Sequence, residues 1–231
     1  MIKLIRLELK RFSFKPHLIG LAIANIVILL LCILISTLLP MTREIILIVG
    51  LPEVQLDTIT LATMLVRATL IIWEAVLIAT LIIEEYHNKT IGLLFTYPID
   101  RAKLIFAKLA LICSIMLGFY ILSSAFQQVS VFFLNRQLDY VTYSFENIFI
   151  QLSTTASAIL LGMVPLCVGM AKKSSIVTIV SSIIIVVIVS NSQGQTAGLL
   201  SIPIIAIILG IIGAVVSIVT VKRMISSDLY N

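Results

Sequence analysis

Two charges inside an apolar run are the first candidates for chemistry. Arg67 and Glu74 lie in the block 59–83, whose other residues are uncharged. Each costs roughly 2.5–3.5 kcal/mol to place at a bilayer centre. A spacing of seven puts them on nearly the same helical face. Three readings follow: both line a polar route, both pair within the protein, or the span starts later and Arg67 sits at the outer interface. Trp73, the single tryptophan, adjoins Glu74 and suits either a substrate contact or helix packing.

Other reactive groups do not assemble into a catalytic set. The only histidines, His17 and His87, fall at the edges of apolar blocks. Paired glutamates such as Glu84-Glu85 would serve intramembrane proteolysis only with histidines inside a span. No His/Cys/carboxylate spacing suits a metal. Cys32, Cys113 and Cys167 form no CxxC pair, which argues against a disulfide framework or thiol redox centre. The stretch Gly169-Met170-Ala171-Lys172-Lys173-Ser174 lacks the second glycine and the spacing of a phosphate loop. The chain is therefore expected to be no enzyme and to hold no cofactor itself.

The elements that must position these residues are apolar blocks. Of 231 residues, 60% are hydrophobic and 12% charged, against about 45–50% and about 25% in soluble domains. Mean hydropathy is +1.18. This excludes a free-standing cytosolic enzyme, a nucleic-acid-binding domain and a disordered chain. Six blocks approach the roughly 20 residues a span needs: 18–39, 59–83, 104–133, 147–170, 175–190 and 199–221. The first two are separated by a polar stretch holding Pro40, Arg43, Glu44, Pro52, Glu53 and Asp57. The fifth is the shortest, about 24 Å as a helix. The blocks are continuous rather than alternating, which excludes a β-barrel. The expected fold is all-α: one transmembrane domain over residues 1–231 with six membrane helices. The first apolar run is too long for a signal peptide, and no cleavage site follows it.

Basic residues set the orientation. Six spans put both termini on one side, together with Lys3, Arg6, Lys10, Arg11, Lys15, Lys89, Arg101, Lys103, Lys108, Lys172, Lys173, Lys222 and Arg223. The other side has Arg43 and Arg136. Both termini are thus expected in the cytoplasm, and the net charge of +5 reflects this bias, with no bearing on nucleic acid. In residues 2–15, Ile2, Ile5, Leu9 and Phe12 share one helical face, while Lys3, Arg6 and Lys10 gather on another. This suits an interfacial helix ending at Lys15-Pro16, or an extension of the first span with snorkelling lysines. Small residues at Thr154, Ala158 and Gly162, and at Gly210 and Ala214, suggest close helix packing. Ser123, Ser124, Gln127 and Gln128 are expected at the outer interface.

The loop between spans two and three is the most informative stretch. Glu84 and Glu85 close the span. A short amphipathic segment follows, with Ile91, Leu94 and Phe95 on one side and Lys89 and Thr90 on another. Pro98 ends it, and Asp100 is placed to cap the third span. A partner-docking element or a loop resting on headgroups would both fit.

In the order Glu84/Glu85, Asn88-Lys89-Thr90, Leu93-Leu94, Pro98, Asp100-Arg101, Lys108-Leu109, this stretch resembles the coupling loop of ABC-2-type permeases. Length, six spans, cytoplasmic termini and the basic N-terminal segment agree across the chain. The resemblance implies that 84–100 forms a coupling helix seated in a groove of a separate cytosolic ATPase, which carries ATP and Mg. Its contact residues would be Glu84, Glu85, Tyr86, Lys89, Thr90, Leu93, Leu94, Phe95, Pro98 and Arg101. It implies a second permease chain, identical or a paralogue, and a translocation route near the second and fifth spans, hence Arg67, Trp73 and Glu74. The absence of a large external domain and the short turn 191–195 resemble compact bacterial peptide and antibiotic exporters, including lantibiotic-immunity and amphipathic-toxin exporters. The implied location is the bacterial cytoplasmic membrane. A non-transporting immunity or assembly protein and an ion-driven secondary transporter are the alternatives.

Overall fold

The computed structural model describes residues 9, 13–49, 57–87, 101–138, 141, 143, 148–190 and 198–227. Every regular element among them is helical. In chain order these are α1 (Phe14–Val49), α2 (Thr58–Ile78) running into a π-helical turn (Ala79–Ile83) and α3 (Glu84–His87), α4 (Arg101–Asn135), α5 (Ile148–Gly162), α6 (Val164–Lys172), α7 (Ser175–Val189), a 3-10 turn (Leu199–Ser201) and α8 (Pro203–Ser227). In hydrocarbon a backbone must satisfy its own hydrogen bonds, so uninterrupted apolar blocks become helices.

Among the described residues, five stretches are long and apolar enough to cross a membrane: Phe14–Leu38, Thr58–Ile83, Lys103–Asn135, Phe149–Lys172 and Pro203–Met224. The shorter α7 coincides with the fifth block of the sequence. Its 15 residues reach about 22 Å, short of the roughly 30 Å hydrocarbon thickness.

Three boundaries differ from expectation. Ser13 is non-helical and α1 starts at Phe14, so the break precedes Lys15-Pro16. Pro16 falls in the first helical turn, where its missing N–H has no intrahelical partner to lose. At the other end α1 continues through Pro40 to Val49, where a polar separator was expected. Proline is tolerated inside membrane helices, and the apolar run from Ile45 favours continuing the ladder. The third difference divides the fourth span. Met163 separates α5 from α6, and Pro165 cannot donate to the carbonyl four residues back. Residues 1–12, where an interfacial helix was expected, lie outside the described residues apart from Leu9, as do residues 191–195, where a turn was expected.

Helix ends follow local chemistry. Lys173 adopts the left-handed conformation (φ 47°, ψ 41°) after α6, and Ser174 N donates to Gly169 O at 3.2 Å, a bond of the kind that closes helices. Pro203 opens α8 at a position that needs no donor.

α2 is the most buried span, and α1 and α8 are the least. Its Leu70, Ile71, Leu77 and Ile78 are fully buried together with Ile112 and Met116 of α4 and Leu166 of α6. The outer faces of α1, α7 and α8 carry Ile19, Ile23, Ile176, Val187, Ile204 and Ile211, all exposed. In water such faces would be untenable; in lipid they are the expected solvent-facing surface.

Candidate functional site

Arg67 and Glu74 lie about 9 and 16 residues into the 26-residue span Thr58–Ile83. At 1.5 Å per residue each sits roughly 5 Å from its middle. The helix begins at Thr58, so Arg67 lies well inside it. Both side chains are buried, Arg67 at 8% exposure and Glu74 at 0%.

They do not pair with each other. Arg67 Nη2 donates to Thr154 Oγ1 at 2.8 Å, and Nη1 donates to Leu200 O at 3.2 Å. The second acceptor comes from the 3-10 turn before α8, whose carbonyls are not all engaged in a helical ladder. The Glu74 carboxylate has no hydrogen-bond partner on either oxygen. It lies against Gly162, where an added Cβ would sit 2.7 Å from the carboxyl carbon. Only glycine leaves room there. Thr154 and Gly162, eight residues apart on α5, thus meet Arg67 and Glu74, seven apart on α2. The row of small residues is the surface that accommodates the two charges. On another side of α5, Ser157 packs on Gly210 of α8, where an added Cβ would sit 2.9 Å from the Ser157 Cα.

Trp73 points away from this seam, toward α1. Its Nε1 donates to His17 Nδ1 at 3.2 Å, its ring packs edge-on to Phe119 at 6.3 Å, and it lies over Gly20. An apolar groove of about 440 Å³ runs beside it, lined by His17, Leu65, Ala68, Thr69, Ile72, Trp73 and Val76.

Two polar clusters that the sequence did not reveal join the helices, a buried one between α1 and α4 and a half-buried one between α4 and α5. Asn25 Nδ2 donates to Ser123 Oγ at 2.9 Å, and Gln127 Nε2 donates to Asn25 O at 2.9 Å. Gln128 Nε2 donates to Gln151 Oε1 at 2.7 Å, and Gln151 Nε2 donates to Ser124 Oγ at 2.8 Å. Ser123 and Gln127 are therefore buried between helices. The lone Asn25 in an apolar block was the available signal, because such a residue needs a partner in lipid.

The stems of the loop between the second and third spans are tied together. Lys108 of α4 donates to Glu85 of α3 and, at 3.0 Å, to Leu81 O. Leu81 belongs to the π-helical turn, which disturbs the regular carbonyl ladder. Lys108 thus answers a backbone carbonyl and a carboxylate at once, with only 5% of its surface exposed. Among the expected contact residues, Glu84 is exposed and Glu85 is held by Lys108. Tyr86 lies in α3 and Arg101 opens α4. Lys89, Thr90, Leu93, Leu94, Phe95 and Pro98 lie outside the described residues. No three His, Cys, Asp or Glu side chains gather as a metal site among the described residues.

An all-helical bundle with exposed apolar surfaces, two charges enclosed at its centre and a clamped loop stem defines a polytopic membrane protein. Residues 22–191 match the family described as ABC-2 family transporter protein. The uncharacterized protein YcbO of Bacillus subtilis (strain 168) is 30% identical over 206 residues, covering 83% of this chain and 85% of that relative. No solved structure matches. The chain belongs to the ABC-2 transporter family. Membership implies an ABC-type permease subunit in a lipid bilayer and a partner ATPase.

Proposed function

We propose that the chain is the permease subunit of an ATP-driven exporter that moves an amphipathic peptide, antibiotic or lipid-like molecule out of a bacterial cell. Two permease chains, identical or paralogous, enclose the route, both termini face the cytoplasm, and cytosolic ATPases bind ATP and Mg. Segment 84–100 is the coupling element. The observation that carries this reading is the Lys108 clamp. A loop pushed by an ATPase transmits force only if its stems move as one body, and Lys108 joins the α3 stem to α4 through Glu85 and Leu81 O.

Arg67 and Glu74 are covered by α5 and the turn before α8. In this proposal they meet the route when α2 and α5 separate during alternating access. Trp73 contacts substrate from the α1–α2 groove, whose apolar walls and His17–Trp73 polar edge suit an amphipathic molecule. The test is reconstitution of the chain with its ATPase in proteoliposomes. ATP-dependent movement of an amphipathic peptide, abolished by omitting either subunit, supports the reading. Movement driven by an ion gradient without ATP would favour a secondary transporter, to which a buried carboxylate beside a broken helix lends support.

A further inference from the structure

Glu74 is the only acidic residue within the five apolar spans among the described residues. It is fully buried, and neither carboxyl oxygen has a hydrogen-bond partner. Arg67, the nearest cation on its own helix, lies seven residues away, about 10 Å along the axis, and is committed to Thr154 and Leu200. From α4, the Cys113 thiol and the Tyr120 hydroxyl are the ionisable groups within electrostatic range. α5 and α7 carry no ionisable side chain in their described parts. α6 has Cys167 and, in its last turn, Lys172; on α1, His17 is engaged by Trp73. None of these reaches the carboxyl oxygens.

A carboxylate ion in that position would lack water, a counter-ion and hydrogen-bond donors together. The neutral acid is disfavoured far less by the same surroundings. Gly162 leaves a fitted space for the group, immediately before the α5–α6 interruption at Met163 and Pro165. Such an interruption is a ready bending point, because the helical ladder is already broken there.

We propose that Glu74 is a proton-binding site of the membrane core: a neutral carboxylic acid while α2 and α5 are closed at Gly162, releasing its proton to water when that seam opens. The step is a simple ionisation, with the O–H bond broken, the electron pair kept by the carboxylate and the proton taken by entering water. It holds whatever molecule the permease moves, and its first arm needs no ATPase.

Infrared spectroscopy of the full chain in lipid nanodiscs at neutral pH tests it. The expected spectrum contains the C=O stretch of a protonated carboxyl group, clear of the amide bands. Glu74→Gln removes the band, and Glu74→Asp retains one at a shifted position. In deuterium oxide the band moves slowly. Gly162→Ala, which crowds the group, displaces its frequency and serves if the glutamine variant is unstable. With the ATPase bound, ATP turnover accelerates the deuterium shift by at least several-fold. Absence of a Glu74-dependent band in the folded chain overturns the site, and a shift as slow during turnover as at rest overturns release on opening. A chain that shows the band but binds no ATPase would contradict the permease reading and leave the proton site standing.

Discussion

Arg67 and Glu74 share one face of α2 and are each committed to a different residue of α5. Arg67 donates to Thr154, and Glu74 lies on Gly162 without a hydrogen bond. The two charges therefore behave as separate contacts along one seam. Removing one does not orphan the other, as it would in a buried ion pair.

Thr154→Val keeps the shape of the side chain and removes the acceptor for Arg67 Nη2. A hydrogen bond to a charged group contributes about 1.5–3 kcal/mol, so thermal unfolding in detergent should shift down by a corresponding amount. Combining it with Arg67→Met should give less than the sum of the single effects, because both break one contact. Strict additivity would show that the bond contributes nothing.

Gly162→Ala should destabilise the bundle by roughly 1–3 kcal/mol through overpacking on the Glu74 carboxyl. Glu74→Ala should relieve part of that loss in the double variant, since it removes the overlapping atoms. Melting of the four proteins of this cycle supplies the readout. No relief would place the clash elsewhere.

Much of this seam was legible in the sequence, and some of it was not. The seven-residue spacing located Arg67 and Glu74 on one face, and the Thr154, Ala158, Gly162 row marked a packing surface. Their partners were not readable, because an apolar helix does not announce which face meets which neighbour. The same limit hid the Asn25–Ser123–Gln127 network, in which Asn25 lies 98 and 102 residues from its two partners in the chain. Helical spans were legible because lipid leaves the backbone little alternative. The continuation through Pro40 was not, since proline's local penalty of about 3 kcal/mol says nothing of the apolar run that follows.

Lys108→Met should lower stability by about 1.5–3 kcal/mol, because it leaves both Glu85 and Leu81 O without this donor. Glu85→Gln should have a milder effect, since an amide oxygen still accepts from Lys108. In the proposed permease the first change should also reduce ATP-driven transport more than ATPase binding. Equal loss of binding and transport would argue that the clamp forms the docking surface itself, with no separate part in transmitting force.

The single tryptophan makes the α1–α2 groove measurable. Trp73 borders a groove of about 440 Å³ lined mainly by apolar side chains. Its fluorescence should be strongly quenched in bilayers of lipids brominated along the acyl chain, and an amphipathic peptide substrate should relieve the quenching. Unquenched emission would mean that protein, such as the second permease chain, fills the groove.

The central claim is that the loop closed by Glu85 and Lys108 hands ATPase motion to the spans. Leu94 and Phe95 carry the apolar side of that loop in the sequence, and burial of each in a partner groove would contribute about 1.5–3 kcal/mol. The most direct measurement is the amount of ATPase that co-purifies from native membranes with the wild-type chain and with Phe95→Asp. The account predicts stoichiometric recovery for the wild type and at least tenfold less for the variant, with unchanged melting of the permease. Equal recovery, with hydrolysis still coupled to export, would contradict it.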